Sequence, residues 1–252
     1  MVYKWPAGDW LGKGRAASAI VKTAWTTAFP STCLFCGADG RSGMDLCEGC
    51  LQELPLITLA CHGCGLPLTG AANARPLCGR CLRKPAHFDR TCCPYVYKQP
   101  VDWLIGRLKF NARLSHIKVL GGLLQEHLER IGADCPELII PVPMHPGRQR
   151  QRGFNQALEI ARPLARHYNV PLATGLCVRH LDTPPQRELP AKRRATNVRN
   201  AFHLRKPLNA SHIAIVDDVM TTGATVNELA RLLKRHGAEY VQVWVLARTA
   251  VD

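Results

Sequence analysis

Residues 213–226 read IAIVDDVMTTGATV: an apolar run that meets two adjacent carboxylates, Asp217 and Asp218, and then a small, hydroxyl-rich turn around Gly223. The apolar residues predict a buried strand ending near Val216. Two negative charges at such an end are costly unless something positive or hydroxylated meets them. A ribose diol offers two hydroxyl donors to a carboxylate pair, and a Mg²⁺ ion can be shared through sugar and pyrophosphate oxygens. Thr221, Thr222, Gly223, Ala224 and Thr225 then predict a loop entering a helix, where converging N–H groups and the positive helix end make a phosphate cradle. Diol, metal and phosphate together describe a 5-phosphoribosyl group. The competing reading makes the acids a simple helix cap. The nucleotide P-loop pattern is absent.

The flanking sequence supplies the frame for this loop. VDWLIGRLKF and IKVLGGLLQEHLERIG have helical periodicity, and ELIIPVPM is a short apolar run ending near Val142. NQALEIARPLARHYN reads as helix despite Pro163. TVNELARLLKRHGA follows the loop with Val226, Leu229, Leu232 and Leu233 on one face and Gly237 as its cap, and YVQVWVLAR is a third strand. Strands alternating with helices predict an open, mostly parallel α/β sheet with helices on both faces. Ligands of such sheets sit at the carboxyl ends of the strands, where both the opening stretch and PVPMHPGRQRQRGFNQ fall.

The N-terminal part is governed by cysteine. Four C-x-x-C pairs, Cys33/Cys36, Cys47/Cys50, Cys61/Cys64 and Cys78/Cys81, lie within about fifty residues, flanked by glycine and small residues. Two facing pairs make a tetrahedral thiolate site, so two structural zinc ions are expected, one per four cysteines in chain order. A cross-braced pairing, an iron–sulfur cluster and unmetallated thiols are the alternatives. Four thiolates leave no open position for water, which assigns the metals to stability. Cys92, Cys93, Cys135 and Cys177 lack the spacing and are expected to be small buried residues. Ahead of the first pair, Ile20, Val21, Ala24, Trp25 and Ala28 have helical spacing closed by Pro30, a helix expected to pack on the cysteine module or to lie on a membrane surface.

The chain has 252 residues and 46% apolar composition, enough for one or two domains with a proper core. No apolar window is long enough to span a bilayer and the first residues lack a signal-peptide pattern, which predicts a cytoplasmic protein whose twelve cysteines stay reduced. The net charge is +14, and residues 145–206 hold 13 Lys or Arg against three acids. Such a band expects phosphate, pyrophosphate or nucleic acid; the plain alternative is a solvated basic face.

The opening stretch resembles the phosphoribosyl pyrophosphate (PRPP) loop of type I phosphoribosyltransferases. The cysteine pairs, LIGRLKFNAR, PVPMHPGRQRQRGFNQ and RNAFHL, in that order, are similar to the ComF/GntX family of competence and DNA-utilisation proteins, over residues 30–250. The resemblance implies a type I phosphoribosyltransferase fold at 85–252, a double zinc ribbon at 31–84 and an N-terminal helical segment at 1–30. It implies that Asp217 and Asp218 are the catalytic pair holding the ribose hydroxyls, and that Thr221, Thr222, Gly223, Ala224 and Thr225 hold the 5-phosphate. Arg148 and Arg152 would lie near the pyrophosphate, with Arg152–Gln156 as the RGFNQ signature. TPPQRELPAKRRATNVRNAF would be a lid, with Thr183, Gln186, Arg193 and Asn197 as its family positions. Expected ligands are PRPP with Mg²⁺; expected partners are single-stranded DNA and proteins of the competence machinery. Aromatic residues that could stack bases, among them Phe110, Phe154, Tyr168 and Phe202, are few. Relatives of the purine-salvage kind have Asp where this chain has Thr221, and glutamine-using relatives have Cys where it has Val2. The acceptor is left open. The alternatives are a PRPP sensor that binds DNA without turnover and a small-molecule transferase with no DNA role.

Overall fold

The final strand is the most deeply buried: every residue of Tyr240–Arg248 after Tyr240 is inside. In the computed structural model the described residues are 31–41, 43–70, 75–111, 114–181 and 198–250, the side chains of 109–111 and 114 excepted. The helix expected over 20–28 and the lid positions Thr183, Gln186, Arg193 and Asn197 lie outside them. In chain order the elements are α1 (Glu48–Gln52), α2 (Gly79–Arg83), β1 (Arg90–Cys92), β2 (Tyr95–Val96), α3 (Val101–Asn111), α4 (Leu114–Arg130) and β3 (Leu138–Pro141). After these come α5 (Pro146–Arg152), α6 (Gln156–His167), β4 (Cys177–Arg179), β5 (Phe202–Leu204), β6 (His212–Met220), α7 (Ala224–Arg235) and β7 (Tyr240–Arg248).

The main sheet runs β1-β7-β6-β3, with β2 pairing the far end of β7, and every pairing in it is parallel. A central parallel strand covered on both faces needs side chains that are apolar in both directions, which YVQVWVLAR supplies. Val241, Val243 and Val245 join Ile213 and Ile215 against Val226, Leu229 and Leu233 of α7. Alternation sends Trp244 to the other face. There its ring lies 5.5 Å from that of Tyr168, just past α6, so helices cover both faces as the alternating pattern predicts. Gln242, also buried on that face, is satisfied by the Asp134 carbonyl at 2.9 Å and the Trp244 indole N–H at 3.2 Å. The other sheet is the antiparallel pair β4-β5.

Two helix details follow from single residues. α6 continues through Pro163, whose ring packs where a side chain on Gly121 of α4 would stand, since a Cβ there would lie 2.9 Å from Pro163 Cγ. α7 ends as its Gly237 predicts: with φ at +102°, Gly237 lets Ala238 N–H reach the Leu233 carbonyl at 3.1 Å. One boundary differs from expectation. β6 does not stop near Val216 but pairs with β7 as far as Met220, opposite Arg248, so Asp217 and Asp218 stand inside the strand. Pairing uses the backbone alone, and the half-exposed carboxylates do not interrupt it.

The chain divides into two compact units, Met1–Gln52 and Glu53–Asp252. The first holds Cys33, Cys36, Cys47 and Cys50. The second holds the sheet together with Cys61, Cys64, Cys78 and Cys81, so residue 84 marks a change of sequence type within one packed body. Thr91 of β1 joins the two parts of that body, its hydroxyl donating to the Gly63 carbonyl at 2.7 Å and its amide to the His62 carbonyl at 3.0 Å.

Trp244 is fully buried at the centre of this arrangement. Trp244→Ala is expected to lower the unfolding free energy by about 3–5 kcal/mol in urea titrations. A loss below about 1 kcal/mol would show that the sheet does not depend on this face.

Candidate functional site

The loop after β3 is held by one asparagine acting twice. Asn155 Nδ2 donates to the Val142 carbonyl at 3.0 Å, while its Oδ1 caps α6 by accepting from Ala157 N–H at 3.1 Å. Between these points α5 begins at Pro146, with His145 accepting the Gly147 amide at 3.2 Å, and ends at Gly153, whose φ of +79° permits the reversal. Arg148 and Arg152 stand four residues apart on α5, hence on one face.

That face meets the acidic strand. Arg148, Arg152 and Arg179 share a cavity of about 140 Å³ with Asp217, Asp218 and Thr225. Asp217 Oδ1 accepts the Asp218 amide at 2.9 Å and Asp218 Oδ1 the Val219 amide at 2.8 Å, which orients both carboxylates. The geometry thus groups seven of the residues singled out in the sequence, Asn155 and Gln156 of the RGFNQ stretch included. Arg179 on β4 was not among them: no motif marks it, and it arrives through the β4-β5 pairing, its guanidinium 5.9 Å from the Phe202 ring centre. Arg193 lies outside the described residues.

The loop itself turns at Gly223, where φ is +77° and an added Cβ would lie 2.7 Å from Met220 Cε. Thr222 Oγ1 accepts the Ala224 amide at 3.3 Å as α7 starts. Thr222, Gly223 and Ala224 border a second cavity, about 470 Å³, which Arg80 and Lys84 also line. Thr221 faces inward with its carbonyl, which accepts from Arg248. A third cavity of about 450 Å³ adjoins the acidic one through Arg179 and Asn155 and contains His180 and His203, whose Nδ1 atoms are 3.3 Å apart. Of the candidate aromatic residues, Phe202 is buried and Tyr168 packs on Trp244, so both serve the core.

The cysteines form two tetrads in chain order, Cys33/Cys36/Cys47/Cys50 and Cys61/Cys64/Cys78/Cys81, and all four Sγ atoms of each lie within 4.8 Å of one another. The cross-braced alternative does not occur. Each tetrad repeats one design: a knuckle closed by a left-handed glycine, Gly37 or Gly65, and a short helix, α1 or α2, that starts within the second pair and carries its second cysteine. Gly37 N–H donates to the Cys33 carbonyl at 3.0 Å and Gly65 N–H to the Cys61 carbonyl at 2.8 Å. A tetrahedral ion with bonds of about 2.3 Å needs sulfurs about 3.8 Å apart; Cys36–Cys47 at 3.6 Å and Cys64–Cys78 at 3.7 Å meet that. Without metal the charge settles unevenly: a hydrogen bond from Cys64 holds Cys61 down at about 4, and Cys64 is pushed up in turn. A dication removes this imbalance by letting all four sulfurs ionise, and the tetrads fit two structural zinc ions. Cys92, Cys93 and Cys177 are buried, and burial raises each thiol to about 12. Cys135 departs from expectation: it is exposed, in the connection that leads to β3.

Two zinc ions per chain are expected by elemental analysis. Extraction by a chelator should be biphasic, the first tetrad with its exposed Cys36 emptying well before the second, in which no cysteine is exposed. Cys36→Ser should abolish the fast phase alone. A single zinc, or equal rates, would contradict this assignment.

Comparison with known proteins agrees with both halves. Residues 24–82 match the double zinc ribbon domain and residues 155–251 the phosphoribosyl transferase domain. The chain is 36% identical to the DNA utilization protein YhgH of Salmonella typhimurium, over 87% of its length and 98% of that protein. It is also 36% identical to competence protein F of Haemophilus influenzae, over 81% of this chain and 90% of that one. A purine phosphoribosyltransferase from Pyrococcus horikoshii aligns with 60% of this chain and 78% of its own at 20% identity and a TM-score of 0.31. Identity of this extent, with both cysteine tetrads preceding the sheet-forming part of the sequence, places the chain in the ComF family of competence and DNA-utilisation proteins, which joins a double zinc ribbon to a phosphoribosyltransferase domain.

Proposed function

We propose that this protein binds PRPP with Mg²⁺ and acts on or with single-stranded DNA in the cytoplasm. The observation that carries the reading is one cavity in which Arg148, Arg152 and Arg179 face Asp217, Asp218 and the first turn of α7. Carboxylates suit a ribose diol, the loop amides and Thr hydroxyls suit a 5-phosphate, and guanidinium forks suit a pyrophosphate. Asp217 and Asp218 hold the sugar, Thr221–Thr225 the 5-phosphate, and Arg148, Arg152 and Arg193 the leaving group.

In a transfer, the C1–oxygen bond to pyrophosphate breaks as the acceptor's bond to C1 forms. Positive charge then builds on the sugar, beside the acids, and negative charge on the departing oxygens, beside the arginines. Mg²⁺, when bound, adds charge neutralisation at the same oxygens. The adjoining cavity with His180 and His203 would seat the acceptor, and Thr221 in place of an acidic base contact favours an acceptor other than a purine. Turnover is read as pyrophosphate release from PRPP across candidate acceptors. Sustained absence of release would leave a PRPP sensor. Among the described residues no helix is long and apolar enough to cross a membrane.

Asp217→Asn with Asp218→Asn removes two charge-assisted contacts of about 1.5–3 kcal/mol each, so PRPP affinity should fall on the order of 10²- to 10⁴-fold with zinc content unchanged. Calorimetry showing undiminished affinity would overturn the site.

For DNA, binding of an oligothymidylate should weaken steeply with salt, and Arg193→Ala with Arg194→Ala should flatten the log–log slope by about 1.4, or 0.7 per lost phosphate contact on a single strand. No binding at low salt would sink the DNA half of the proposal.

A further inference from the structure

Arg248 ends β7 with its charge inside the protein, at 1% exposure. Among the described residues it forms no ion pair; Nε and Nη1 are directed mainly at backbone carbonyls. Nε donates to the Cys64 carbonyl at 3.1 Å. Nη1 lies within hydrogen-bond reach of the carbonyls of Met220 at 3.1 Å and Thr249 at 3.0 Å, of Thr249 Oγ1 at 3.2 Å and of the carbonyl of Thr221, which share its two N–H groups. Met220 closes β6, Thr221 opens the phosphate loop, and Cys64 belongs to the second tetrad. One buried side chain therefore spans the metal knuckle and the loop.

The contact fixes more than position. A trans peptide is planar, with C=O and N–H pointing oppositely. Holding the Met220 and Thr221 carbonyls on Arg248 turns the following amides, those of Thr221 and Thr222, away from it. Those amides are the start of the phosphate cradle. Met220 reinforces the arrangement, because its side chain occupies the space beside Gly223 that any Cβ would need. The charge also requires a counterpart. A guanidinium is ionised at any working pH, and burying it without an opposite charge is costly. Four thiolates around a zinc dication carry two net negative charges, and Arg248 lies on the Cys64 peptide at their edge.

We propose that Arg248 is the positioning residue of the phosphate loop, and that through it the second cysteine tetrad is a working part of the ligand site, so that zinc loss there loosens Thr221–Thr225. The identity of the ligand rests on the proposed function; the coupling does not. It is tested by hydrogen–deuterium exchange of the 221–225 amides in the unliganded, zinc-loaded full chain. Arg248→Lys keeps the charge and loses the fork, Arg248→Met loses both, and Cys78→Ser empties the second tetrad while Cys36→Ser disturbs only the first. Loop exchange should accelerate about tenfold or more in the two Arg248 variants and in Cys78→Ser, and stay at the wild-type rate in Cys36→Ser. Exchange in β6 and β7, followed alongside, separates local loosening from global unfolding; Arg248→Lys is the mildest change and keeps the test open if the others unfold. Unchanged loop exchange in Arg248→Lys and Cys78→Ser would overturn the coupling, as would an equal response to Cys36→Ser. A parallel PRPP titration of the wild type keeps the two questions apart: a protein that fails to bind PRPP yet shows the exchange pattern refutes the ligand and supports the coupling.

Discussion

Parallel pairing of β6 with β7, carried to Met220 opposite Arg248, is the constraint on which the rest of the molecule depends. Because the strands of the main sheet run in one direction, their carboxyl ends collect at one edge. The acids of β6, the loop behind β3 and the start of α7 converge there without any residue having to reach across the fold. Extending the pairing past Val216 also fixes the backbone that carries the carboxylates. A ligand would find Asp217 and Asp218 already oriented, each held by the next amide.

The cysteine tetrads divide differently from their sequence. Two copies of one knuckle-and-helix design stand close together in the chain, yet one belongs to the unit that ends at Gln52 and the other to the unit that holds the sheet. In the second copy the thiolates are buried among the same core residues as α7 and β7. A zinc ion held there would therefore stabilise the body that carries the acidic cavity. Zinc with four sulfurs has no position for substrate, and its influence on a ligand has to pass through protein contacts such as those of Thr91 and Arg248.

Much of this was legible in the residue order because it rests on local chemistry. Apolar runs located β3, β6 and β7 and the 3.6-residue pattern α3, α4, α6 and α7, Gly223 marked the turn before α7 and Gly237 its end, and the C-x-x-C spacing named the ligands of both tetrads in the order in which they group. What was missed depends on tertiary pairing. Arg179 reaches the acidic cavity because three residues of β4 pair with three of β5, a contact with no periodic signature. Arg248 closes an apolar strand, and its buried guanidinium meets the carbonyl of Cys64, 184 residues earlier in the chain, a contact that no local pattern announces. The strand end was placed too early for a related reason: side-chain charge suggests exposure, whereas strand pairing depends on the backbone of β7.

A crystal structure of the zinc-loaded protein with PRPP and Mg²⁺ tests the proposed site directly. Ribose hydroxyls are expected on the carboxylates of Asp217 and Asp218, the 5-phosphate on the amides between Thr221 and Thr225, and the pyrophosphate facing Arg148 and Arg152. A ligand seated instead against His180 and His203, with neither carboxylate nor loop amide in contact, would contradict this placement.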